Sequence, residues 1–244
     1  MDITGNIVLI TGGASGIGLA LARAFAGAGN EVLICGREEA KLRRARDALP
    51  GCRAIQCDLT SEESLRALHA EVAARHPGLN VLVNNAGVQY TSRFRDEAPS
   101  FEVIDREIAT NFTAHVKLTA LMLPLLTQQP RAMIVNVTSA LSVIPKESAP
   151  VYCATKAAMH VFSKALRYQL EPTPIQVLEV IPPLVDTEMS CGRGKGKVSP
   201  ELVAVRVLRG MARDRHELRI GKVKLLFALN RVLPSVAESM VRRG

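Results

Sequence analysis

Thr11-Gly12-Gly13-Ala14-Ser15-Gly16-Ile17-Gly18 decides the fold. It follows a short apolar run, Ile7–Ile10, and opens an amphipathic stretch, Gly16–Ala28. The glycines recur as Gly-x3-Gly-x-Gly, a spacing that lets a backbone turn sharply out of a strand and into a helix. The first N–H groups of a helix lack partners within it, and with the helix dipole they attract an anion such as a pyrophosphate. A glycine cluster alone also fits a tight turn with no ligand. Its place between a first strand and a first helix favours a bound nucleotide, with Gly12, Ser15, Gly16, Ile17 and Gly18 as candidate contacts.

The same alternation continues outward from this turn. Val32–Cys35, Arg53–Gln56, Val81–Val83, Met133–Val137, Ile175–Ile181 and Glu217–Ile220 read as further strands. Glu38–Ala48, Tyr152–Leu170 and Ser199–Ala212 read as helices, with a long one over Phe101–Leu126 that Pro124 would bend. Thr60 and Glu63 have the spacing of a capping box for a helix after the third strand. Continuous apolar strands alternating with helices imply a parallel sheet covered on both faces. The expected fold is α/β: a Rossmann-like, doubly wound parallel sheet of about seven strands in a single domain.

The second strand ends in Cys35-Gly36-Arg37. A free ribose 2′-hydroxyl is usually met here by Asp or Glu, whereas Arg37 is a fixed cation suited to a 2′-phosphate. The expected cofactor is therefore NADP(H) in preference to NAD(H), the alternative being a plain surface arginine.

Length and composition set the outer bounds. A chain of 244 residues, 48% hydrophobic, suits one globular domain. No apolar run approaches the roughly 18 residues of a membrane span, and the N-terminus lacks the basic region of a signal peptide. Five cysteines without CxxC spacing argue against a disulfide framework or zinc site and for a reducing compartment, so a cytoplasmic location is expected. The histidines form no ligand cluster, no metal is expected, and neither HExxH nor Gly-x-Ser-x-Gly occurs.

Charge divides the chain unevenly. Residues 1–191 hold 18 Lys/Arg against 19 Asp/Glu, and residues 192–244 hold 13 against 4. We divide the chain into a catalytic domain, 1–221, and a basic amphipathic tail, 222–244, interrupted at Pro234. Packing on its own domain or at a subunit interface is the favoured role of the tail. Weak contact with an anionic membrane surface is the alternative, and nucleic acid is disfavoured. Cys191–Lys197, with three glycines between cations, reads as a flexible loop.

Taken together, TGGASGIG at 11–18, Asp58-Leu59, Asn84-Asn85-Ala86-Gly87, Asn111, Ser139 and Tyr152-x3-Lys156 resemble the short-chain dehydrogenases/reductases over about residues 5–220. The strings Val137-Thr138-Ser139 and Tyr152-Cys153-Ala154-Thr155-Lys156 are similar to the branch called DltE-like. The resemblance implies hydride transfer between a nicotinamide cofactor and a small carbonyl or secondary alcohol. It implies that Asp58 and Leu59 bracket the adenine, that Asn85, Ala86 and Gly87 lie along the cofactor, and that Val185 and Thr187 contact the nicotinamide. Asn111 would hold a water in a proton relay, Ser139 the substrate oxygen, and Lys156 the ribose, with Tyr152 as the general acid/base. Pro183 stands where the family has glycine, which changes the local backbone. Family members commonly form dimers or tetramers, partly through the helices equivalent to 101–126 and 152–170.

Independent chemistry supports the pair. Tyr152 and Lys156 are four apart and share a helical face. A free phenol has a pKa of about 10, and an ammonium ~4 Å away should lower it by roughly three units before desolvation is counted. An NADP(H)-binding sensor on the same scaffold, or a membrane-surface reductase using the tail, are the competing functions. The substrate contacts are expected from Val88–Phe94, Ala140–Pro150 and Leu184–Val198. Arg93, Lys146, Arg193, Lys195 and Lys197 there hint at an anionic substrate.

Overall fold

The computed structural model describes residues 1–242. Its strands are β1 (Ile7–Thr11), β2 (Glu31–Gly36), β3 (Arg53–Gln56), β4 (Val81–Asn84), β5 (Ala132–Val137), β6 (Ile175–Ile181) and β7 (Glu217–Arg219). They form one seven-stranded sheet in the order β3-β2-β1-β4-β5-β6-β7, with every neighbouring pair parallel. Order reverses between β1 and β4, where a doubly wound sheet opens a crevice at the carboxyl ends of its strands.

The pleat sorts side chains to two cores. Val8, Ile10, Val32, Ile34, Val81, Val83 and Val135 face one layer, built with α1 (Gly16–Gly27), α2 (Glu39–Asp47) and α7 (Pro200–Ala212). Leu9, Leu33, Leu82, Ile134 and Val177 face the other, built with α3 (Glu62–Arg75), α5 (Ala114–Thr127) and α6 (Pro150–Leu170). Burial on both faces explains why the strands are apolar runs rather than alternating ones.

Two local expectations, the α3 cap and the long helix, are corrected, and the expected interruption of the tail at Pro234 is present. Ser61, not Thr60, caps α3, accepting from the Ser64 N–H at 3.2 Å. Thr60 turns back to Asp58 instead, donating to Oδ1 from its backbone N–H (2.9 Å) and its hydroxyl (2.8 Å). The long helix over 101–126 is α4 (Phe101–Ile108) and α5, joined by a π turn at Ala109–Thr113, and α5 runs through Pro124 to Thr127. The tail forms two helices, α8 (Val223–Val232) and α9, which starts at Pro234 and runs to Arg242. Proline suits the start of α9, since the first N–H of a helix has no partner within it. Arg243 and Gly244 lie outside the described residues.

Candidate active site

A cleft of about 900 Å³ runs along the carboxyl edge of the sheet. The β1–α1 turn forms its floor. Gly12 has φ +63°, and a Cβ there would lie 3.0 Å from the Ala86 Cα, so both conformation and proximity require glycine. A Cβ on Gly18 would meet the Gly12 carbonyl oxygen at 2.2 Å, so this glycine lets α1 seat against its own turn. Ser15 caps α1 without spending its hydroxyl on a cap bond, and no acid occupies the first turn. Ser15, Gly16 and Ile17 line the cleft. That arrangement fits a phosphate group. Gly18 is buried and does not line it.

Thr11 ties the turn to β4. Its hydroxyl accepts from the N–H groups of Asn85 (2.9 Å) and Ala86 (3.0 Å) and donates to the Val83 carbonyl (3.2 Å). The Asn85 amide donates to the Thr11 carbonyl at 2.9 Å. His115 holds the other side of this strand end, its Nε2 lying 2.8 Å from the Ala86 carbonyl. Burial pushes the His115 pKa down to about 4, so the ring is neutral and Nε2 donates. The carbonyls and amides of Asn85, Ala86 and Gly87 are thus fixed along the cleft.

At the far end of the floor, Arg37, Asp58 and Leu59 line the cleft together. Arg37 has no ion-pair partner among the described residues, whereas neighbouring Lys41 pairs with Glu38 and Glu188. Burial raises the Asp58 carboxyl, but the two Thr60 bonds and the charges of Arg37 and Arg106 outweigh it and hold it below its usual range. Glu38 also lines this end, a carboxylate that the reading of the second strand passed over.

Ser139, Tyr152 and Lys156 come together at the centre. Ser139 follows β5 and caps a short 3₁₀ turn, its Oγ accepting from the Leu141 N–H at 3.1 Å. Tyr152 and Lys156 are buried on one face of α6, with the Lys156 Nζ 5.7 Å from the Tyr152 ring centre. That ammonium donates to the Val137 carbonyl at 2.9 Å. Burial pushes the Tyr152 phenol up to about 12, offset in part by Ser139. It also pushes Lys156 down to about 8. The expected lowering of Tyr152 by Lys156 is therefore absent here. Loss of water around the phenol dominates, and the Lys156 ammonium, itself disfavoured by burial, is turned toward the Val137 carbonyl.

Asn111 lies in the π turn and is fully buried, outside the cleft lining. Its Oδ1 accepts from the Val88 N–H (2.8 Å), and its Nδ2 donates to the Val88 carbonyl (2.8 Å) and to Thr155 (3.2 Å). The side chain thus pins the loop that follows Gly87 rather than presenting free groups to the cleft. Val185 and Thr187 line the opposite wall. A pair of hydrogen bonds to the buried Glu179 carboxylate, donated by the Thr138 hydroxyl (2.7 Å) and by His160 Nδ1 (2.9 Å), braces the strand end before Ser139. Contacts such as these span dozens of residues and carry no spacing signal.

The tail closes the cleft from above. Leu225, Leu226 and Leu229 of α8 and Met240 and Val241 of α9 line it. The Arg242 carbonyl accepts from the Glu147 N–H at 3.0 Å, tying α9 to the segment after Ser139. Arg219 stacks over Phe227 at 4.6 Å.

A parallel doubly wound sheet with an uncapped glycine turn at its switch point defines the Rossmann-like class of nucleotide-binding folds. Within it, residues 6–197 match the family model described as short chain dehydrogenase, and the chain belongs to that family of oxidoreductases. It is 48% identical over 190 residues, 78% of this chain and 75% of the relative, to DltE of Bacillus subtilis (strain 168), described as an uncharacterized oxidoreductase. This places it in a DltE-like branch. Two solved structures share the fold. A short chain dehydrogenase from Burkholderia cenocepacia J2315 in complex with NADP has TM-score 0.87, 24% identity and coverage of 99% of each chain. A short chain dehydrogenase/reductase from Burkholderia phymatum in complex with NAD has TM-score 0.87, 20% identity and coverage of 100% of this chain and 97% of that one.

Proposed function

We propose that this chain is an NADP(H)-dependent oxidoreductase interconverting a carbonyl and a secondary alcohol, with Tyr152 as the general acid/base. One observation carries the reading: Ser139, Tyr152 and Lys156 share a cleft with an α1 N-terminus whose N–H groups have no side-chain cap. The nicotinamide, when bound, supplies or accepts the hydride. The first turn of α1 and Ser15 would hold the pyrophosphate, and Arg37 the 2′-phosphate. Asp58 and Leu59 would flank the adenine, and Asn85 to Gly87, Val185 and Thr187 would bound the remainder. Lys156 would hold the nicotinamide ribose.

Ser139 donates a hydrogen bond to the substrate oxygen and so stabilises charge that develops there. With its pKa near 12, Tyr152 is protonated at neutral pH and gives its proton to that oxygen in reduction. The reverse direction requires the phenolate, so alcohol oxidation speeds up as pH rises toward that value. The five free cysteines suit a reducing compartment, in keeping with a cytoplasmic enzyme. Exposed Phe101 on α4 and Val161 and Tyr168 on α6 support assembly into a dimer or tetramer through those helices.

The test is NADPH consumption across a panel of carbonyl compounds. Wild type turns over at least one of them, and Tyr152→Phe loses about 10²–10⁴-fold in turnover while binding NADPH as before. Tight NADPH binding with wild type and Tyr152→Phe equally inert on every compound would make this chain a cofactor-binding protein instead.

A further inference from the structure

Both ends of the tail are fixed at the reacting end of the cleft. The Ala140 N–H, next to Ser139, donates to the Pro182 carbonyl at 3.2 Å, and the Ile220 N–H donates to the adjoining Ile181 carbonyl at 3.1 Å. α8 therefore sets out beside the strand end that carries Ser139. At the other end, the Arg242 carbonyl accepts from the Glu147 N–H at 3.0 Å, just before α6 and Tyr152. Between these anchors α8 and α9 pack on each other and line the same cleft as Ser139 and Tyr152.

The two helices give their apolar residues to the cleft rather than to the core. Val223 is the buried residue of α8, and Ala237 that of α9. Leu226, Leu229 and Val241 are half-buried and line the cleft, and the exposed Leu225 and Met240 line it too. Charge is sparse at this end. Of the cations read from the sequence as hints of an anionic substrate, Arg93, Lys146, Arg193 and Lys197 do not line the cleft, and Lys195 does so as an exposed residue. Lys222 is exposed as well, and Glu188 pairs with Lys41 at 2.9 Å. The buried ammonium of Lys156 is turned to the Val137 carbonyl. A charge on the body of a substrate would lose its water here without gaining a partner, whereas hydrocarbon displaces water from apolar walls favourably.

We propose that α8 and α9 select the substrate, and that it is an uncharged ketone whose hydrocarbon body lies against Leu226, Leu229 and Val241 while its carbonyl reaches Ser139 and Tyr152. This rests on the reductase reading above and adds the substrate class to it. The ketone carbon accepts the hydride of NADPH and its oxygen the Tyr152 proton, giving the secondary alcohol and NADP⁺. The family match ends at residue 197, so the selecting helices follow the shared part of the chain.

Two measurements test it. In the first, NADPH consumption is followed with the 2-alkanones from butanone to 2-octanone, and 2-hexanone is compared with 5-oxohexanoate, which has a carboxylate in place of the terminal methyl. The value of kcat/KM rises roughly twofold to fourfold for each methylene, mainly through KM, and is at least about tenfold lower for the acid. Leu229→Ser, and independently Met240→Ser at an exposed position, flatten the rise with chain length, and an unchanged NADPH Kd shows that both variants are folded. In the second, butanamide, hexanamide and octanamide are titrated calorimetrically into the full chain with NADP⁺. Affinity rises by the same factor per methylene, and Leu229→Ser flattens it. Ketones turned over without dependence on length, or 5-oxohexanoate used as well as 2-hexanone, overturn the apolar site and leave the reductase reading intact. A rise with length that both variants retain removes α8 and α9 from the site. Amides bound without dependence on length overturn the site whatever the turnover. Length-dependent amide binding with no carbonyl compound turned over keeps the site and overturns the reductase reading.

Discussion

The floor and the roof of the cleft are built by different means. The floor is made of backbone: a glycine turn, strand ends and the N–H groups of α1, backed by strands with no exposed residue in β4 or β5. The roof is made of side chains on a glycine loop and on two helices that keep large apolar surfaces in water, with Leu225 73% and Met240 66% exposed. A floor of this kind tolerates almost no change, because each part fits a fixed chemical group. A roof of this kind tolerates many changes, and there substrate choice can vary without touching the reaction.

Gly18→Val should show the difference at its largest. The added Cβ meets a backbone carbonyl at 2.2 Å, and no side chain can move aside to admit it. We expect a loss of at least 1–3 kcal/mol, on the order of an overpacked core, and no measurable NADPH binding; urea melts and calorimetry read both. Arg37→Asp should weaken NADPH about tenfold to a hundredfold and leave NADH the same or tighter. An unchanged Kd ratio would show that the floor reads only the pyrophosphate.

Lys156→Met should sharpen the contrast between stability and function on the floor itself. Wild type holds the ammonium in a site that lowers its pKa from 10.5 to about 8. Below pH 8 the lysine is protonated both folded and unfolded, and the cost of burying that charge is complete. As pH rises from 8 toward 10.5, the folded form sheds its proton before the unfolded form does, and the cost fades. The variant should therefore be more stable than wild type by on the order of 1 kcal/mol at pH 7, after allowing for the lost bond to Val137. That margin should shrink at pH 9, while turnover is lost at both. Thermal melts at the two pH values measure it. Leu225→Ser, on the roof, should change stability by less than about 0.5 kcal/mol and leave cofactor Kd untouched, shifting only the KM of apolar substrates.

The same contrast explains what was legible in the sequence. Sheet and glycine turn were readable because buried parallel strands demand apolar runs, and because Gly12 and Gly18 occupy space that no other residue fits. The α3 cap falls one residue later than the capping-box spacing predicts, since Thr60 and Ser61 both offer a hydroxyl before an acidic turn. The π turn at 109–113 hid inside one continuous helical pattern. The Arg193–Gln89 bond joins residues 104 apart, a pairing no local spacing announces. The direction of the Tyr152 shift departs from expectation for a related reason: the charge of Lys156 is visible in the sequence, and the burial that pushes the phenol up is not.

Calorimetric titration of the full chain with NADPH, and separately with NADH, tests the central claim most directly. The account predicts one site per chain, with NADPH bound at least about tenfold more tightly and its advantage lost as salt rises. Absence of binding, or equal affinity for the two cofactors at low salt, would contradict it.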